Sequence, residues 1–126
     1  MIPGRGAGRV NEDRRRTDKV AQLVQAEVSK LLLERVKDPR VEGVTVTEVR
    51  VSSDLSFARV YFAVAPDRAE KAAEGLERAA PFLRRELGSR LRLRRVPELR
   101  FERDEALEHG TKINAILKQM ARGEES

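Results

Sequence analysis

The hydrophobic pattern predicts a single α+β domain ordered helix, strand, strand, kinked helix, strand. Its three strands make one mixed sheet with helices on one face. Three stretches carry that reading. Residues 17–32 repeat apolar side chains at helical spacing, and residues 43–65 alternate at period two around a Ser-Asp interruption. Residues 67–91 return to helical spacing with a proline in their midst. A chain of 126 residues has the usual size of one compact domain.

The first helix places Val20, Leu23, Val24, Val28, Leu31 and Leu32 on one stripe. Thr17 suits its N-cap with Asp18 in the first turn, although Asn11 suits the cap of a longer helix. Asp38-Pro39 ends it, because the residue before a proline is pushed out of helical geometry. In the strands, Val44 and Val46 share one parity and Val49 and Val51 the other. Either a bulge shifts the register or Thr45 and Thr47 join the buried side. Asp54 suits a turn after Ser53, and Val60, Phe62 and Val64 mark the second strand of an antiparallel hairpin.

Residues 67–91 form a helix with Asp67 as N-cap, lined by Ala69, Ala72, Ala73, Leu76, Ala79 and Ala80 and then by Phe82, Leu83, Leu87 and Leu91. Pro81 costs roughly 3 kcal/mol inside a helix but is favourable at a first turn, where its missing N–H has no partner to lose. Two helices meeting at Ala79-Ala80-Pro81 are therefore expected. The third strand follows in "VPELRF", with Pro97 at its start and Leu99 and Phe101 on one side. The long crossover permits parallel pairing with the second strand. Ile113, Ile116, Leu117 and Met120 outline a short last helix capped by Thr111. Residues 1–10, with Pro3, Gly4, Gly6 and Gly8, read as a flexible tail, residues 11–120 as the domain, and residues 121–126 as a frayed end.

Composition narrows the chemistry. Hydrophobic residues make up 40% and charged residues 37%, so one modest core carries a heavily charged surface. No apolar run approaches the ~20 residues of a membrane span, and the N-terminus lacks a secretory h-region, which points to the cytoplasm. Without cysteine there are no disulfides or thiolate metal sites, and a single histidine, His109, cannot build an imidazole cluster. No G-x-S-x-G elbow or other catalytic constellation is present, and no cofactor or metal is expected.

The net charge of +5 is segregated. Residues 1–40 carry net +4 and residues 81–103 net +5, while residues 41–80 and 104–126 each carry −2. Such clustering favours a polyanion, most often nucleic acid. Arg84, Arg85, Arg90, Arg92, Arg94 and Arg95 are the first candidate RNA contacts, since arginine holds phosphate oxygens with paired hydrogen bonds. The bland alternative is a solvated face partly paired with Glu86 or Glu98. Arg14, Arg15, Arg16 and Lys19 form the second block, spread around the helix axis by their spacing. Tyr61 either stacks on a base or is an ordinary residue of the less buried sheet face. With 4% aromatic residues, a reader of single strands by stacking alone is disfavoured.

A kinked helix packed on a small sheet between strands is the architecture of K-homology-type RNA-binding domains, although no GXXG loop is present here. The chain resembles the ribosome-binding factor A family through "VKDPRVEGVTVTEVRVSSDLSFARVYF" (residues 36–62) and "FLRRELGSRLRLRRVPELRFERDEALEHGTKI" (residues 82–113). Asp38-Pro39-Arg40, Ser53-Asp54-Leu55, Leu91-Arg92-Leu93-Arg94 and Pro97-Glu98-Leu99 are its most specific parts. The resemblance implies a type II K-homology-like domain in which an Ala-x-Gly kink replaces the GXXG loop. Ala79 matches the alanine of that motif, and Pro81 stands where the family usually has glycine. It also implies a non-enzymatic, monomeric assembly factor that binds immature small ribosomal subunits through their ribosomal RNA. It would assist late maturation and RNA processing, notably in the cold. Two other readings fit the residues: a general RNA-binding module, and a module that docks on a ribosomal protein.

Overall fold

In the computed structural model, residues 3–106 are described, residues 3–13 as backbone only. Helix α1 (Pro3–Glu34) leads through a single 3-10 turn (Pro39–Val41) into strand β1 (Thr45–Val51). Strand β2 (Phe57–Ala63), a second 3-10 turn (Pro66–Arg68), helix α2 (Ala69–Leu91) and strand β3 (Glu98–Arg103) follow. The sheet order is β1-β2-β3, with β1 antiparallel and β3 parallel to β2, so the sheet is mixed as expected. This is a K-homology-like domain.

Parity explains the core. Ala58, Val60 and Phe62 of β2 are buried and alternate with half-buried neighbours. A register shift between Val46 and Glu48 brings both Val46 and Val49 to the buried side. The bulge solution is thus the one adopted, and Thr47 is its extra residue. The Thr47 hydroxyl donates to Asp104 Oδ2 at 2.6 Å, and Gln25 Nε2 on α1 donates to the Thr47 carbonyl at 3.4 Å. Val24, Val28 and Leu31 of α1 and Leu76, Leu83 and Leu87 of α2 complete the core and are fully buried. Each such side chain contributes roughly 1.5–3 kcal/mol by leaving water.

Several boundaries differ from expectation. Neither Thr17 nor Asn11 caps α1, which already runs from Pro3. Proline suits a first turn, and the Thr17 hydroxyl donates back to the Arg14 carbonyl at 3.0 Å from inside the helix. The helix stops at Glu34, four residues before Asp38-Pro39, with the Arg35 and Val36 amides both closing on the Leu31 carbonyl. Asp38 instead caps the 3-10 turn, accepting from the Arg40 amide at 3.0 Å. Leu23 lies off the stripe and is 40% exposed, because α1 turns its Val24–Val28–Leu31 side to the sheet. Asp67 is not an N-cap. It sits within the turn before α2, whose cap position is Arg68 with no side-chain capping bond. The expected helix of residues 111–120, His109 and the frayed end at 121–126 lie outside the described residues.

The main correction concerns Pro81. α2 is one continuous helix with Pro81 in its interior, not two helices meeting there. Proline in that place removes one ladder bond and pushes away the preceding turn's carbonyl, the usual cause of a kink. Its side chain is exposed, and Leu76, Leu83 and Leu87 bury the opposite side on both flanks. Packing therefore overrides the local cost. α2 also comes close to its neighbours at two glycines. A Cβ on Gly75 would stand 2.8 Å from Val41 Cγ1, and one on Gly88 2.8 Å from Val96 Cγ2.

Because Pro81 interrupts a continuous helix, Pro81→Ala is expected to stabilise the domain by up to about 3 kcal/mol in denaturant unfolding. A gain below about 1 kcal/mol would show that residue 81 acts as a tolerated first-turn proline after all.

Candidate nucleic-acid interface

The turn between β1 and β2 organises one end of the molecule. Asp54 Oδ1 accepts from the hydroxyls of Ser52 (2.8 Å) and Ser56 (2.7 Å) and from the Ser56 amide (3.0 Å). Leu55 sits at φ 61°, a left-handed conformation that this side-chain capping holds in place. The Ser56 hydroxyl, then the Ser52 hydroxyl and the Ser56 amide, stabilise the carboxylate and lower its pKa to about 2, helped slightly by Arg95. Asp54 is therefore the turn-forming residue that its position in the sequence suggests.

One arginine from each basic block flanks this turn. From α1, Arg16 and Thr17 face Ser53, Asp54 and Leu55 across a small cleft of about 140 Å³. From the α2–β3 loop, Arg95 lies near enough to Asp54 to favour its charge. The Glu98 amide donates to the Ser56 carbonyl at 2.9 Å, which ties the start of β3 to the turn. Arg14, Arg15, Arg16 and Lys19 are exposed on α1, and Arg85, Arg92, Arg94 and Arg95 are exposed on α2 and its loop. Arg92 ends α2 in the left-handed conformation, φ 50°, which reverses the chain toward the sheet.

Two of the candidate arginines serve the fold. Arg84 donates from Nε to the Pro97 carbonyl (3.2 Å) and from a terminal nitrogen to the Val96 carbonyl (3.1 Å). With the close approach of Val96 to Gly88, these bonds fasten the arginine-rich loop to α2. Arg90 pairs with Glu86 one turn earlier (3.2 Å) and with Glu27 of α1 (3.5 Å), bridging the two helices. Of the kink residues, Ala79 and Ala80 are half-buried and Pro81 is exposed.

In the sequence Asp54 reads as a turn residue, and that Arg16 and Arg95 meet at its turn is a product of the fold. The signal was present in Ser53-Asp54-Leu55, but its neighbours depend on the β2–β3 pairing. At the other end, Asp38 and Arg40 form a two-pronged pair (2.6–3.1 Å) that holds the Asp38 carboxyl below its ordinary range. Arg68 donates to the Pro39 carbonyl at 2.8 Å, so Asp38-Pro39-Arg40 is a structural latch on α2. Among the described residues, no group of His, Cys, Asp and Glu could hold a metal ion, and no helix is long and apolar enough to cross a membrane.

A small mixed sheet backed by two helices, with basic residues gathered at one end, defines a K-homology-like domain suited to a polyanion. A family model described as Ribosome-binding factor A matches residues 16–117, and the chain belongs to that family. A ribosome-binding factor A from Pediococcus pentosaceus is 46% identical over 110 residues, covering 85% of this chain and 95% of that one. One from Enterococcus faecalis is 42% identical over 112 residues, covering 86% and 97%. The crystal structure of ribosome-binding factor A from Thermus thermophilus superposes with a TM-score of 0.66 at 30% identity, covering 71% of this chain and 97% of that chain. A homology model of the Thermus thermophilus factor, fitted into a cryo-EM map of its complex with the 30S particle, gives 0.51 at 34% identity, over 66% and 93%.

Two outcomes follow from this geometry. The Asp54 carboxyl should titrate near pH 2 rather than 3.8 when followed by carbon NMR. Because its folded pKa is lowered, its contribution to the turn is complete above pH 3.8 and is lost as pH falls through about 2. A midpoint at the ordinary value would mean that the serine hydroxyls do not hold it. Arg84→Ala should cost about 1–2 kcal/mol and speed amide exchange in residues 92–97, because two carbonyl bonds are lost. Unchanged exchange there would remove Arg84 from the loop's support.

Proposed function

We propose that this protein binds the small ribosomal subunit through its ribosomal RNA and assists the subunit's late maturation without catalysing a reaction. The observation that carries the reading is that Arg16 and Arg95, one from each basic block, both stand at the β1–β2 turn. Arg92, Arg94 and Arg95 with Arg85 contact one stretch of phosphates, and Arg14, Arg15, Arg16 and Lys19 contact another. Arg84 and Arg90 support this surface rather than touch RNA, since their donors are engaged within the fold. The names of the curated relatives and the 30S complex of the Thermus thermophilus factor support the ribosome as the setting.

Phosphate contacts alone would hold any RNA, because they carry no sequence information. Preference arises from the shape of a junction that both blocks reach together. An immature subunit leaves such a junction accessible, and the joined ribosome closes it.

The chain should co-sediment with purified immature small subunits more than with mature ones, and least with joined ribosomes, at matched salt. Replacing Arg92, Arg94 and Arg95 by alanine together should leave the fold intact. It should also lower the salt slope of affinity for ribosomal RNA fragments by roughly 2 to 3. Equal sedimentation with all three particles would leave a general RNA binder. Retention after RNase treatment would favour docking on a ribosomal protein.

A further inference from the structure

The helices cover one face of the sheet, and the other face is uncovered among the described residues. Its middle row is unusual. The strand registers set Arg50 opposite Arg59 and Arg59 opposite Arg100, so three arginines stand side by side across all three strands. Like charges directly opposite one another destabilise a sheet, and neither the core nor the turn requires them here. Glu48, Glu102 and Glu98 offset the repulsion at 2.9, 3.4 and 3.8 Å from Arg50, Arg59 and Arg100 respectively. All six side chains are 41–69% exposed, and exposed pairs of this kind contribute little and exchange readily.

Two further features point to what the row can hold. The Arg100 guanidinium carbon lies 4.3 Å from the Phe57 ring centroid, and that of Arg50 lies 5.8 Å from the Tyr61 ring. Both cations are held against flat surfaces on which a base can stack, by ring or by guanidinium plane. Arg59 Nε is shut away from solvent beside Glu102 Oε1 at 3.4 Å, and Tyr61 and Glu102 both favour the charged guanidinium, so the central arginine stands as a fixed cation. Directed cations beside aromatic planes, on a surface that no helix covers among the described residues, match the chemistry of single-stranded RNA.

We propose that this open face is a second RNA-contact surface. A single-stranded segment crosses the strands with its phosphates on Arg50, Arg59 and Arg100, and a base stacks at Tyr61. The surface lies on the side of the sheet away from the helices, so one molecule bridges two RNA segments, one at the β1–β2 turn and one here. This inference takes RNA as the partner from the reading above but does not depend on the residues of that end. The scarcity of aromatic residues confines stacking to this one place, and the glutamates make the contact weaker than the basic end.

The chain has one tyrosine and no tryptophan, so its intrinsic fluorescence reports Tyr61 alone. The full chain is titrated with a short oligouridine, following tyrosine emission corrected against free tyrosine, with anisotropy of a labelled copy run in parallel. Saturable quenching is expected. The combined variant Arg50→Gln, Arg59→Gln and Arg100→Gln should abolish it and lower the salt slope by about 2. Arg92→Gln, Arg94→Gln and Arg95→Gln together should preserve it, which separates this proposal from the function of the basic end. Since the first variant can fail to fold, Glu48→Gln with Glu102→Gln is the second arm, and severalfold tighter quenching is expected. Anisotropy without quenching, no binding at all, quenching that survives loss of the arginine row, or no gain in the glutamine pair would each overturn the proposal. Equal quenching by a polyglutamate peptide would assign the face to an acidic protein segment instead.

Discussion

Parallel pairing of β3 with β2 is the constraint from which the rest of this end of the molecule follows. A parallel neighbour cannot be reached by a tight turn, so the chain must travel the length of the sheet and return before pairing. α2 makes that journey, and the register then requires Glu98 to stand beside Phe57. Phe57 follows directly on the turn that ends β1. The segment that enters β3 is therefore delivered to the turn, whatever its own sequence. Because residues 92–97 are that segment, Arg95 arrives at the turn where α1 presents Arg16. Charges nearly eighty residues apart in the chain meet through a pattern of backbone hydrogen bonds that neither contributes.

Delivery alone would leave a loose loop, and α2 supplies the fastening. Gly88 lets Val96 approach the helix backbone, and Arg84 gives its guanidinium to the Val96 and Pro97 carbonyls. Pro97, fully buried, has no amide to satisfy there. At the other end, Gly75 admits Val41, and the Asp38–Arg40 latch completes that contact. α2 is thus anchored on both sides of Pro81. A helix pinned at both ends tolerates a local interruption, because the turns on either side are held by burial rather than by the missing bond. The same anchoring accounts for a continuous helix where local propensity alone favours a break.

What the sequence discloses follows the reach of each signal. Valine parity around Thr47 narrows the first strand to two solutions, and only the buried side of the neighbouring strand chooses the bulge. The β2–β3 pairing is suggested by the length of the crossover. Capping residues mislead because Thr17 and Asp67 are of the right type but have other tasks: one bonds back inside α1, the other lies in a 3-10 turn. The arginines divide in the same way. Arg84 and Arg85 are adjacent and chemically identical, yet one faces two carbonyls and the other solvent. That distinction depends on where residues 96 and 97 return, which no local pattern records. The arginine row across the sheet is equally invisible, since Arg50, Arg59 and Arg100 become neighbours only through register.

The carboxylate at the centre of the basic end has a consequence for the proposed complex. Asp54 is set between Arg16 and Arg95, where a phosphate would be drawn if the site were uniformly positive. Its own turn holds the carboxylate in the ionised form down to about pH 2, so at neutral pH it is a fixed negative charge. It repels phosphate from the middle of the surface while the cations attract it on both sides. A polyanion meeting this pattern is favoured when its backbone passes on either side of the turn and disfavoured when one strand runs straight across. In the proposed complex such an arrangement would turn electrostatics that read no sequence into a test of shape, with diverging strands preferred to a continuous duplex. A domain with few aromatic residues and no GXXG loop has limited means of reading bases. In the proposed complex, charge of alternating sign fixed by backbone register would give it another route to selectivity.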